Sequence, residues 1–140
     1  MRVVLDTNTL IAALITSGTP PDQLYQAWRK KRFDLITSHW QLDEFRRASR
    51  YEKLHKFIKP TAAGELVNGL RREAWVLGKL PKVDISKDAD DNPVLAMAIA
   101  GNADYLVSGD IRGILTLKKV GSTRIVTARE FLKILRKRRS

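Results

Sequence analysis

This chain repeats one junction, in which a short run of branched or aromatic apolar residues stops at an acid and a helical pattern follows. Val3-Val4-Leu5 ends at Asp6, after which Leu10, Ile11, Leu14 and Ile15 recur at helical spacing. Tyr105-Leu106-Val107 likewise runs into Ser108-Gly109-Asp110. Further strands are expected at Phe33 to Thr37, at Arg124 to Val126 and, shorter, at Lys82 to Ser86. Between them the spacing predicts a helix carrying Leu24, Tyr25, Ala27 and Trp28, and one opening at a Ser38/Gln41 capping box. A stretch over 51–58 and a long helix from Thr61 to Val76 follow. Asp90-Asp91-Asn92-Pro93 reads as a helix start with Val94, Leu95, Ala98 and Ile99 buried and Gly101 as terminator. A capping box at Thr127/Glu130 opens the last helix. Strands alternating with helices imply a parallel sheet with helices on both faces, because the crossover connections are long enough to be helical. In such sheets ligands meet the carboxyl ends of the strands, the edge to which Asp6 and Asp110 belong.

The 140 residues, 44% of them apolar, suffice for one domain over 1–140 with a basic tail at 136–140 that is expected to fray. No stretch reaches the ~20 apolar residues of a membrane helix, and MRVVLDTN meets an acid before a signal-peptide core could form, so a cytoplasmic location is expected. With no cysteine, disulfides and thiolate chemistry are excluded. Only His39 and His55 offer imidazole, so any metal would be held by oxygen, which favours Mg²⁺ or Mn²⁺.

Charge supplies the next constraint. The net charge of +11 attracts polyanions, nucleic acid first among them. Ten Lys/Arg lie between Arg29 and Lys59, and Arg46, Arg47, Arg50 and Lys53 among them are candidates for holding a nucleic-acid backbone. Against this stands an acid-rich segment, Asp84, Asp88, Asp90, Asp91, Asp104 and Asp110, whose only cations are Lys82 and Lys87. Four acids, Asp6, Glu44, Asp91 and Asp110, stand at strand ends or in opening turns of helices. Brought together they repel one another unless protons or cations compensate. A divalent ion held there would activate water and neutralise charge on a phosphodiester, with Thr7, Asn8 and Ser108 orienting ligands or water. Three of these acids also have a plainer reading, Asp91 as a helix cap, Asp110 as a turn residue and Glu44 as part of a solvated face, whereas Asp6, abutting a buried strand and a helix start, is the least easily dismissed. His39, Trp40 and Trp75 read as packing or surface residues.

Leu5-Asp6-Thr7-Asn8, Ser38 to Glu44, Asp88 to Ala100 and Ala103 to Asp110, taken in order and spacing, resemble a PIN domain, close to the VapC-like toxins of toxin–antitoxin operons. The resemblance runs from about residue 2 to residue 127. It implies a Rossmann-like three-layer α/β/α sandwich around a parallel sheet, often of strand order 3-2-1-4-5, and a Mg²⁺- or Mn²⁺-dependent endoribonuclease acting on single-stranded RNA. Its acids carry over onto Asp6, Glu44, Asp91 and Asp110, with Asn8 and Ser108 as polar supports, and Asp88 or Asp90 as alternatives to Asp91. An antitoxin partner and a homodimer are common among such relatives. Two other readings compete. A haloacid-dehalogenase-type phosphatase needs a second Asp where this chain has Asn8. A basic RNA-binding module would use the acids only structurally.

Overall fold

The computed structural model describes residues 1–138. Its centre is a six-stranded sheet built from β1 (Arg2–Leu5), β2 (Asp34–Ser38), β3 (Trp75–Leu77), β4 (Tyr105–Val107), β5 (Lys119–Val120) and β6 (Thr123–Val126), in the order β3-β2-β1-β4-β6-β5. All neighbours run parallel except β5, which pairs with β6 antiparallel. Counting only the parallel strands, the order is the expected 3-2-1-4-5.

Strand side chains alternate between faces, and the two apolar cores follow that period of two. Val3, Leu5, Leu35, Val107 and Val126 enter one core with Leu10, Leu24, Phe45, Leu70 and Phe131. Val4, Ile36, Leu106 and Ile125 enter the other with Leu95, Met97 and Ala98. Helices α1 (Thr7–Ile15), α2 (Pro20–Arg29), α3 (His39–Ser49), α5 (Pro60–Glu73) and α7 (Ala128–Lys137) serve the first core, and α6 (Asn92–Ala100) the second. The result is the three-layer sandwich.

Several boundaries differ from the sequence reading, each for a physical reason. The long helix expected to reach Val76 ends at Glu73, because its buried positions stop at Leu70 and Ala74 turns extended at φ −89°, ψ 164°. Trp75-Val76-Leu77 is instead the edge strand β3, with Trp75 in register with Ile36. No strand forms over Lys82 to Ser86; the amides of Ile85 and Ser86 are taken by the Asn92 side-chain oxygen at 3.1 and 2.9 Å. The stretch over 51–58 contracts to one turn, α4 (Glu52–His55). The two-residue β5 is too short to leave a periodic signal, and Gly121 at φ +57° makes the turn that joins it to β6.

Ser38 caps α3 as expected, its hydroxyl accepting from the Gln41 amide at 3.0 Å, but the Gln41 side chain does not reach back to complete a box. It donates to the Leu5 carbonyl at 2.7 Å and accepts from the Thr37 hydroxyl at 2.7 Å, tying the ends of β1 and β2. The Thr127/Glu130 box is complete in both directions. Gly101 does end α6, though at φ −85°, and a Cβ there would press on Ile36 Cδ1 at 2.8 Å; the left-handed residue is Asn102 at φ +50°. Arg136 and Lys137 form the last turn of α7, so the expected tail begins inside a helix; positions 139–140 lie outside the described residues.

Candidate active site

The carboxyl ends of β1 and β4 lie side by side, Leu5 in register with Val107, so the residues just past them open at one edge. Asp6 follows β1 and caps α1. Its Oδ1 accepts from the Thr9 amide at 2.8 Å and from the Thr9 hydroxyl, while its own amide donates to the Val107 carbonyl at 3.0 Å. This fixes the carboxylate on the seam between the central strands, only 6% exposed. Ser108, buried one residue past β4, accepts from the Asp110 amide at 3.1 Å.

A cleft of about 540 Å³ opens over this edge, walled by Asp6, Thr7 and Asn8 from α1, Trp40, Glu44 and Arg47 from α3, and Asp90, Asp91 and Pro93 from the start of α6. Asp110 sits on the other side of Asn8, in a neighbouring hollow with Ser108. Its Oδ1 accepts from the Gly113 amide at 3.0 Å and its Oδ2 from the Ile114 amide at 3.4 Å. Gly113 is required for this, since a Cβ at that position would overlap the Asp110 carboxylate. The turn reading of Asp110 is therefore part of the truth, yet the same carboxylate acts electrostatically on Asp6 and Asp91.

The capping explanation of Asp91 does not hold. Asp91 stands at the cap position of α6 with helical backbone and makes no side-chain cap bond; the acid that caps here is Asp88, whose Oδ1 accepts from the Asp90 amide at 3.0 Å in the short 3-10 turn Ala89–Asp91. Asp91 instead accepts from the Ser86 hydroxyl at 3.3 Å and faces the cleft. Asp90 lines the cleft too, fully on its exposed rim.

Burial is the main force raising the Asp6 carboxyl above its ordinary range, with the Asp110 charge adding to it and hydrogen bonding from Ser108 and Thr9 opposing it. Asp91 is also raised, first by desolvation and then by the charges of Asp88, Asp110 and Asp6. Three aspartates from distant parts of the chain thus share one field. Glu44 lines the same cleft, but its Oε2 pairs with Arg47 at 2.7 Å. Among the described residues the ion pairs are Arg29–Glu73 and Arg47–Glu44, so the three aspartates have no Lys or Arg partner there.

The donor set suits a hard divalent cation: carboxylates and hydroxyls, no imidazole or thiolate, and negative charge in excess of its local compensation. The Thr7 hydroxyl, on the cleft wall, is buried without a hydrogen-bond partner, which also fits a site that holds something more. As they stand the acids surround the region without closing a cage: among the described residues, no three His, Asp or Glu side chains are grouped closely enough to hold an ion. Asp6, Asp91 and Asp110 are the residues that would supply its ligands.

The basic residues separate. Arg47 alone of the four candidates is on the acid cleft; Arg46 and Arg50 line a different hollow against α5, and Lys53 lies on the exposed face of α4. Sequence reasoning missed Tyr51, which is 63% exposed and on the cleft wall, and it passed over Trp40 as packing. The available signal was an aromatic set among the cations from Arg46 to Lys59, a common composition at nucleic-acid surfaces.

A Rossmann-like sheet with aspartates at its carboxyl edge that pair with no Lys or Arg among the described residues, on a chain of net charge +11, defines an α/β protein whose strand edge is built to meet a ligand and whose charge attracts polyanions. Residues 2–112 match the PIN domain family, and the chain belongs to it. PIN domains are generally nucleases that use divalent metals. No curated protein matches the chain. No described helix is long and apolar enough to cross a membrane.

Proposed function

We propose that this protein is a Mg²⁺- or Mn²⁺-dependent endoribonuclease that hydrolyses single-stranded RNA in the cytoplasm, with Asp6, Asp91 and Asp110 as the primary metal ligands and Glu44 as a fourth acid at the site. The observation that carries this reading is the electrostatic convergence of three aspartates from β1, the start of α6 and the end of β4 at one sheet edge, uncompensated by any described ion pair. When bound, a divalent cation supplies Lewis acidity to a phosphodiester and a lowered pKa to water. The chain's own residues do the rest. Asn8 and Ser108 orient groups at the centre, Thr7 offers an unpartnered hydroxyl, and Arg47 stands where a phosphate can be held against the cleft wall.

Trp40 and the exposed Tyr51 are on the cleft walls, surfaces on which the unpaired bases of a single strand can stack. The experiment is incubation of end-labelled single-stranded RNA with Mn²⁺ and either wild type or Asp6→Asn. Asn keeps the cap on α1 because its side-chain oxygen can still accept from Thr9. The proposal expects cleavage by wild type and a loss of at least about 100-fold in the variant, the usual scale for removing an essential polar group. Equal cleavage by both would exclude Asp6 from the chemistry.

One observation favours a second reading, a basic RNA-binding module without catalysis: no three acids are grouped as a finished cage among the described residues. RNA binding with no cleavage by wild type in either metal would support it. The toxin role, silenced by a cognate antitoxin, belongs to the same proposal and rests on the sequence resemblance. A small adjacent reading frame encoding a DNA-binding protein is its expected genomic sign, and a homodimer its expected assembly.

A further inference from the structure

A second hollow, about 560 Å³, adjoins the acid cleft and shares with it the wall formed by Trp40, Ala89 and Pro93. Its far side is the loop after β3, which contributes Leu80, Pro81 and Val83, with Lys79 and Lys82 exposed at its mouth. Leu80, Val83 and Trp40 are each partly buried against the α6 core, which gives the hollow a fixed apolar lining. Asn92 is on its wall. The Asn92 side-chain oxygen is already occupied by the Ile85 and Ser86 amides, so what Asn92 offers the hollow is its NH₂ group, a donor suited to ring carbonyls or ring nitrogens.

We infer that this hollow is a nucleobase subsite, receiving a base of the RNA strand next to the phosphate held at the aspartate cleft, with Trp40 and Pro93 as its stacking surface and Lys79 and Lys82 on the adjoining phosphates. The inference rests on the ribonuclease reading above and adds a specificity element to it. Three features select a nucleotide over other occupants. An apolar, aromatic wall and a polar donor lie within one cavity, as base recognition on single strands requires. Lys79 and Lys82 border the hollow and are exposed to solvent, where a phosphate chain would pass. The hollow shares Trp40, Ala89 and Pro93 with the acid cleft, so a strand that passes over these residues reaches both. A second copy of this chain would instead bring its own surplus of positive charge, net +11, toward Lys79 and Lys82.

The test compares two substrates: a single-stranded oligoribonucleotide, and bis(p-nitrophenyl) phosphate, a phosphodiester with no nucleobase. Two variants are used, Val83→Asp, which puts a carboxylate into the cavity, and Lys79→Ala/Lys82→Ala, which changes only exposed side chains and so leaves the fold intact. The inference expects about a tenfold or greater rise in KM for the oligonucleotide in both variants, with turnover of the small diester unchanged. Unchanged KM for RNA would overturn the subsite while leaving the nuclease reading in place. Parallel loss on both substrates would also overturn it, by showing an effect on the centre itself. A wild-type dimer that becomes monomeric in the variants on sedimentation would assign the hollow to self-association instead. Absence of Asp6-dependent turnover of either substrate by wild type would be a failure of the underlying function and not of the subsite alone.

Discussion

Asp6 serves two purposes with one carboxylate: Oδ1 caps α1 through Thr9, and the same buried group, whose ionisation burial disfavours, is one the proposed cation would hold in its charged form. Asp91 has no such structural duty at the helix start, so its charge costs stability in the metal-free protein. The sign follows from linkage. A carboxyl raised in the folded state favours folding while protonated, a contribution present below the ordinary value of 3.8 and lost as pH rises through the raised one. In chelator, Asp91→Asn should therefore melt above wild type at neutral pH, with the gap narrowing as pH falls toward the ordinary carboxylate range. A variant that melts below wild type by a constant amount at every pH would instead make the Ser86 hydrogen bond a structural necessity. Asp6 and Asp110 were legible from sequence because each abuts a strand end. Which of Asp88, Asp90 and Asp91 is spent on capping was not, because three acids within four residues have the same local look and only the fold shows that Asp88 caps the 3-10 turn while Asp90 and Asp91 line the cleft.

At the scale of elements, the site depends on strand ends being held level. Gln41 does this from inside α3, bridging the Leu5 carbonyl and the Thr37 hydroxyl while 1% exposed. Gln41→Leu keeps the volume but leaves both partners buried and unpaired, so urea unfolding should show a loss of about 2 kcal/mol or more. A neutral substitution would mean that the strand ends are registered by apolar packing alone. The sequence pattern identified the four helix-flanked parallel strands, since each carries a branched or aromatic run. It misplaced the edge: Trp75-Val76-Leu77 continued the helical count of α5, and only pairing with β2, a contact made some forty residues away in sequence, decides that this run is extended. Val83 and Ile85 gave Lys82 to Ser86 a strand-like look, but the Asn92 side chain takes the amides that a ladder would need.

Over the whole molecule, the proposed function gives the +11 charge the work of holding a polyanion and the acid cleft that of recessing its scissile group. Association with single-stranded RNA should fall with salt at a log–log slope of about −0.7 per phosphate neutralised, and contact with three or more phosphates is expected, read by fluorescence anisotropy with Asp6→Asn to prevent cleavage. A flat dependence would contradict a basic face as the source of affinity. The basic face itself was legible in composition, but its arrangement was not: Arg46 and Arg47 are adjacent in sequence and open onto different hollows, because successive helix positions point about 100° apart. On the proposed reading Asp6, Asp91 and Asp110 serve one cation, and isothermal titration of Mn²⁺ into wild type and into Asp6→Asn, Asp91→Asn and Asp110→Asn measures this at the ion itself. Wild type should bind saturably, with affinity weakened by about tenfold or more in every one of the three variants; Mn²⁺ binding unaffected by all three substitutions would refute a shared site.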